Sequence, residues 1–176
     1  ASVGARLKVF GRDYRFETDG GRWDYLGEKS SYAGLVPPSL KGDTQIHNAT
    51  TVVAAVEALQ QRLPVDAAAI ERGIMKTELP GRFQILQNEP SVILDVAHNP
   101  HAAAVLAKNL KDMGPFHATH AVFGAMSDKD IDGVIELMKG CVDRWYVTDL
   151  PLPRAATAEA LKDKLISAGV TRGKTN

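Results

Sequence analysis

The segment Ser91 to Pro100, SVILDVAHNP, limits the possible folds more than any other stretch of the chain. Its β-branched and apolar residues suit a strand from Ser91 to Ala97 buried on both faces. Directly after it, Asn99 can cap a helix and Pro100 fits the first helical turn. The same alternation then repeats. Ala103, Leu106, Leu110 and Met113 form one apolar helical stripe ending at Gly114, and His120 to Gly124 reads as the next strand. Asp128 to Lys139 reads as a helix packing through Ile131, Ile135 and Met138, Trp145 to Thr148 as a third strand, and Thr157 as the cap of a last helix running through Leu161, Leu165 and Ile166 to Gly169. Strands and helices in this order predict a small α/β domain with a mainly parallel sheet and no closing strand. Ligands of such sheets sit at the carboxyl ends of the strands.

The earlier part of the chain has a different rhythm. Leu7, Val9, Tyr14 and Phe16 alternate with polar positions around Gly11-Arg12-Asp13, which predicts hairpin-like strands, and Trp23 to Leu26 predicts another. After the break at Pro37-Pro38 and Gly42, Ile46, Val53, Val56, Leu59 and Leu63 fall near helical spacing and predict a helix over Gln45 to Gln61. Asp66 can cap a second helix over Ala67 to Arg72, with Gly73 suited to the left-handed position past its end. Pro80 and Gly81, within Glu78 to Arg82, end regular structure and mark the domain boundary, which gives one unit at 1–78 and another at 79–176.

Composition removes several classes of function. At 176 residues and 44% hydrophobic, the chain can bury a core, and 21 basic residues against 21 acidic ones give no net field toward nucleic acid or an anionic membrane. No apolar run approaches the roughly 20 residues needed to span a bilayer. One cysteine, Cys141, cannot form an internal disulfide, no stretch has the pattern of a signal peptide, and the cytoplasm is the expected compartment. His98 and His101 are three apart, as are His117 and His120, but no acidic or cysteine partners accompany them at ligand spacing, so no metal site is expected in the chain.

The chemistry concentrates at the strand-to-helix turn. Asp95 can accept hydrogen bonds from ribose hydroxyls, and His98 can donate to a sugar or phosphate oxygen where a helix start favours anions. The same residues also suit a turn that satisfies its own backbone. In Asp128-Lys129-Asp130, either aspartate can cap the helix that follows, and the loop can equally pair with a substrate. Arg154 follows the third strand, and a guanidinium suits a carboxylate.

Four segments add a resemblance. LPGRFQILQNEPSVILDVAHNPHAA (Leu79 to Ala103), GDTQIHNATTVVAAVEAL (Gly42 to Leu59), FGAMSDKDI (Phe123 to Ile131) and PLPRAATAEAL (Pro151 to Leu161) stand in the order found in the bifunctional dihydrofolate synthase/folylpolyglutamate synthase family of the Mur ligase superfamily. The resemblance implies a Rossmann-like carboxy-terminal domain at 79–176, preceded at 1–78 by the end of a central ATP-binding domain. It implies an ATP-dependent ligase that joins L-glutamate to dihydropteroate or to a folyl-glutamate through an acyl phosphate. Asn48 and Arg82 would then contact ATP, Arg82 at the adenine end or at the phosphates, with Asp95 on the ribose hydroxyls and His98 beside it. Lys129 and Arg154 would face the glutamate.

The family also implies a monomer that uses Mg2+, with its metal ligands and P-loop upstream of the matched region. No GxxxxGK[ST] occurs in these residues. The expectation is therefore a piece of the ligase, inactive alone and truncated at both ends. A non-catalytic nucleotide-binding or interaction module is the alternative. A dinucleotide oxidoreductase is disfavoured because no GxGxxG follows a strand.

Overall fold

A computed structural model describes residues 4–40, 42, 44–171 and 175. The chain divides into two compact units, Ala1–Gln84 and Ile85–Asn176.

The first unit is an antiparallel three-stranded sheet with helices on one face. Strands β1 (Arg15–Asp19), β2 (Arg22–Leu26) and β3 (Ser31–Leu35) pair in sequence order. The tight hairpin turns at Gly20-Gly21, both at positive φ, and not around Gly11-Arg12-Asp13 as the alternation suggested. Two consecutive left-handed residues match the twist of a two-residue hairpin, and glycine adopts them without strain. Period-two alternation puts Trp23 and Tyr25 on the inner face of β2, where both are fully buried. The Trp23 indole donates to Val36 O at 2.9 Å.

Helix α1 (Thr44–Leu59) packs on this sheet, and α2 (Ala67–Lys76) completes the core through Ile70 and Ile74. Asp66 caps α2 as expected, accepting from Ala69 N at 2.6 Å, but Gly73 lies inside the helix. Burying Ile74 one turn beyond Ile70 carries the helix past the glycine. The inner face of α1 is only partly the one its large apolar residues outline, since Val53 is buried and Ile46 and Val56 pack against the core. Ala49, Thr50, Val53, Ala54 and Glu57 are buried, while Leu59 and Leu63 are exposed.

Glu57 explains that choice. Its carboxylate accepts from Lys29 N at 2.9 Å and Ser30 N at 2.7 Å, and pairs with Lys8 Nζ at 3.2 Å. Tyr25 Oη donates to it at 3.4 Å. Burial acts to raise its pKa, but the opposing bonds from Lys29 N, Lys8 and Ser30 N prevail and hold it below the ordinary carboxylate value.

Strand β4 (Gln84–Asn88) starts at the boundary residue, and the second unit holds the rest of it with β5 (Ser91–Leu94), α3 (Pro100–Asp112), β6 (His120–Phe123), α4 (Ile131–Met138), β7 (Arg144–Val147) and α5 (Ala158–Ser167). Its α/β order agrees with the sequence reading. Strands β6 and β7 pair in parallel in the register His120↔Arg144 to Phe123↔Val147, with α4 as the crossover. The parallel sheet is smaller than predicted, because β5 pairs with β4 in a separate two-stranded sheet. Val92 and Leu94 are partly exposed there, so β5 is not covered on both faces. A β-branched run favours an extended backbone but does not dictate what packs against it.

The chain returns to the parallel pair at Thr175, which bridges to Trp145, so a further pairing begins beside β7 where none was predicted. The core joins Ala103, Ala107, Ile131, Ile135, Trp145, Leu161 and Leu165. No helix among the described residues is long and apolar enough to cross a membrane.

The Glu57 network gives a pH-dependent stability. A carboxyl held low in the folded state stabilises above its unfolded pKa, and that contribution is lost as pH falls through the folded value. Urea denaturation across that acid window should show stability falling for the parent protein and a flatter profile for Glu57→Gln. Glu57→Ala should cost about 2 kcal/mol near neutrality, because the part-buried amides of Lys29 and Ser30 lose their acceptor and Lys8 keeps only Glu28.

Candidate functional site

The candidate site lies in the second unit, where the segments leaving β5 and β6 meet. Ala97, His98, Phe123, Gly124, Ala125, Lys129, Ile131 and Val134 line one small open recess. Two of the expected site residues, His98 and Lys129, are therefore brought together although they are far apart in sequence.

The turn after β5 is shaped by its own side chains. Asp95 Oδ1 accepts from Ala97 N at 2.7 Å, and Asn99 Oδ1 accepts from Ala102 N at 2.9 Å to cap α3. His98 Nδ1 lies 3.0 Å from Val96 O. A carbonyl only accepts, so Nδ1 carries the proton. In the neutral ring Nε2 is then an acceptor, and His98 donates outward only as the imidazolium. This refines the sequence reading, in which the histidine was a donor. The turn reading and the ligand reading of Asp95 and His98 are compatible, because backbone bonds orient both side chains while leaving both residues exposed.

The loops after β6 and β7 are joined to each other. Ser127 N donates to Arg154 O at 2.8 Å, Ala156 N donates to Ala125 O at 2.9 Å, and Met126 forms a bridge with Ala155. Thr148 N donates to Phe123 O at 3.0 Å. Gly124 permits this close approach: a Cβ there would stand 2.8 Å from Leu150 Cδ2 and 3.3 Å from Thr148 Cγ2. The joined loops place Asp128 Oδ2 3.3 Å from Arg154 Nη1. Arg154 is thus already paired with a carboxylate, while Lys129 forms no ion pair with any described residue. Asp130 rather than Asp128 caps α4, accepting from Gly133 N at 2.9 Å.

Two expected site residues belong to the first unit. Asn48 is exposed on the first turns of α1, with Nδ2 donating to the Gln45 side chain at 3.2 Å. Arg82 is exposed between buried Gly81 and buried Phe83, and its N–H donates to Leu79 O at 3.2 Å. The sequence reading missed Gly124 and Ala125 as lining residues. The signal for them was the glycine ending a strand that leads into a charged loop.

Among the described residues no group of three or more His, Cys, Asp or Glu is placed to hold a metal ion.

The start of α3 is fixed against α4 at Gly133, where a Cβ would stand 2.6 Å from Pro100 Cγ. Gly133→Ala should lower the stability of the protein by about 1 to 3 kcal/mol in urea denaturation, as expected for a side chain forced into packed atoms. An unchanged midpoint would show that α3 moves aside at little cost.

Comparison with known proteins supplies a context for this geometry. Residues 81–175 match the family model of the Mur ligase glutamate ligase domain. The dihydrofolate synthase/folylpolyglutamate synthase of Escherichia coli (strain K12) is 38% identical over 162 residues, which cover 92% of this chain and 37% of that protein. A solved structure of E. coli FolC in complex with DHPP and ADP superposes with a TM-score of 0.81 at 37% identity, covering 98% of this chain and 39% of that one. A bifunctional folylpolyglutamate synthase/dihydrofolate synthase solved with Mn, AMPPNP and L-glutamate bound gives a TM-score of 0.78 at 34% identity, covering 94% and 39%. The chain thus spans less than two fifths of the length of each of these relatives.

Proposed function

The chain belongs to the Mur ligase family, whose glutamate ligase domain it matches over residues 81–175, and on that premise we propose that it is part of an ATP-dependent ligase adding L-glutamate to dihydropteroate, to the γ-carboxylate of folyl-glutamates, or to both. Residues 1–78 then form the end of a central ATP-binding domain and 79–176 the carboxy-terminal domain. In this reading ATP phosphorylates the folate-side carboxylate, and the amine of glutamate attacks the acyl phosphate to release inorganic phosphate. The protein's task is to position the reactants and balance their charge. A divalent cation accompanies ATP in this reaction, and this chain is given no part in binding it.

The observation that carries the reading is the shared recess of His98 and Lys129 at the carboxyl ends of β5 and β6. On the nucleotide side, Asp95 accepts hydrogen bonds from the ribose hydroxyls, and His98, with Nδ1 on Val96 O, turns Nε2 toward a further one. Asn48 and Arg82 also contact ATP in this reading. On the amino-acid side, Lys129 is the cation that meets the glutamate carboxylate, and Arg154 serves it second because Asp128 already holds its guanidinium.

The full-length protein is expected to release phosphate from ATP only when glutamate and a pteroate or folate are both present. Release indifferent to folate would instead support a nucleotide-binding module of the same fold. In steady-state kinetics Asp95→Ala should raise the KM for ATP by about tenfold, the effect of losing a hydrogen bond to a charged group. An unchanged KM removes Asp95 from the ribose. Lys129→Ala should raise the KM for glutamate more than Arg154→Ala does, and the reverse order would exchange their roles.

A further inference from the structure

Resting on the reading that Arg82 contacts ATP, we propose that Phe83 is the positioning residue that aims Arg82. Phe83 is the only non-glycine residue at positive φ among the described residues, with φ +46°, and it is 6% exposed. Gly81, two residues earlier, is also at positive φ (+70°) and is also buried. Arg82 between them is exposed.

A left-handed backbone suits glycine and opposes a bulky side chain, whose Cβ crowds the adjacent carbonyl. At position 81 the sequence supplies the residue that this conformation favours. Position 83 carries phenylalanine instead, so burial of the ring holds a backbone angle that local preference would release.

The turn is tied on its other side as well. Gly81 N donates to the Gln84 side chain at 3.1 Å, and Arg82 N donates to Leu79 O at 3.2 Å. With the backbone fixed before and after it, the direction of the Arg82 Cα–Cβ bond is set, and only side-chain torsions remain to be ordered when a ligand binds. Preorganisation of this kind strengthens binding without adding a contact. Phe83 therefore acts through Arg82 and touches no substrate.

The test is a double-mutant cycle in the full-length protein, reading KM for ATP, kcat and the thermal midpoint. Phe83→Gly keeps the left-handed backbone comfortable and removes the anchor. It should raise the KM for ATP by about tenfold with kcat within about twofold of the parent. In an Arg82→Ala background the same change should move KM no further, because the residue it aims is gone. A Phe83→Gly effect that persists in full on Arg82→Ala, or a KM left at the parent value, overturns the proposal while leaving Arg82 in place. An Arg82→Ala protein with the parent's KM overturns the Arg82 reading itself, and the inference with it. If the glycine variant does not fold, Phe83→Leu carries the cycle: a small KM shift that vanishes without Arg82 supports the proposal, and one that persists refutes it.

Discussion

The second unit depends on the parallel pairing of β6 with β7. Parallel neighbours cannot be joined by a tight turn, so the chain must cross over, and α4 is that crossover. Parallel strands also exit at the same edge. The loops carrying Lys129 and Arg154 are thereby forced together, and the recess that the Lys129 loop borders receives His98 from the end of β5. The place of the candidate site follows from strand direction, and side-chain chemistry then decides what it can hold.

In the first unit the corresponding organiser is a buried acid. Glu57 satisfies two backbone amides of the segment before β3, accepts the Tyr25 hydroxyl and neutralises Lys8. Burial and the nearby carboxylate together push the Tyr25 hydroxyl well above its ordinary pKa, so it stays a donor. An uncharged side chain at position 57 could not serve all these partners, and an unpartnered carboxylate could not be buried there. Close packing enforces the arrangement, since a Cβ at Gly27 would stand 2.7 Å from Glu57 Oε1.

The helices of the second unit were legible because their signals are local, with Asn99, Asp130 and Thr157 each capping the helix they precede, whereas β4 was not read from the sequence. What escaped was set by distant partners. Strand β3 was missed because Gly34 interrupts its pattern, and its amide is held by the Asp24 side chain at 2.6 Å. Glu57 on the inner face of α1 was missed because hydrophobic spacing, which placed Val53 correctly, gives no weight to an acid that finds four donors. At the site, residue types pointed to Asp95, His98 and Lys129. The Asp128–Arg154 pair depends on two loops 26 positions apart and could not be read from either. Phe83 escaped for another reason, since nothing in the identity of a phenylalanine announces its φ.

The joined loops after β6 and β7 have a consequence for how this chain can change over generations. Surface loops ordinarily absorb insertions, because a longer connection adds little closure entropy. Here residues 125–127 are bonded rung by rung to residues 154–156, so the two connections behave as one ribbon. An added or deleted residue in either would shift its register against the other and strand amide and carbonyl groups on both sides. Lineages that remodel this edge must alter both loops in concert, or confine length changes to connections such as 114–118, for which no comparable ladder is found among the described residues.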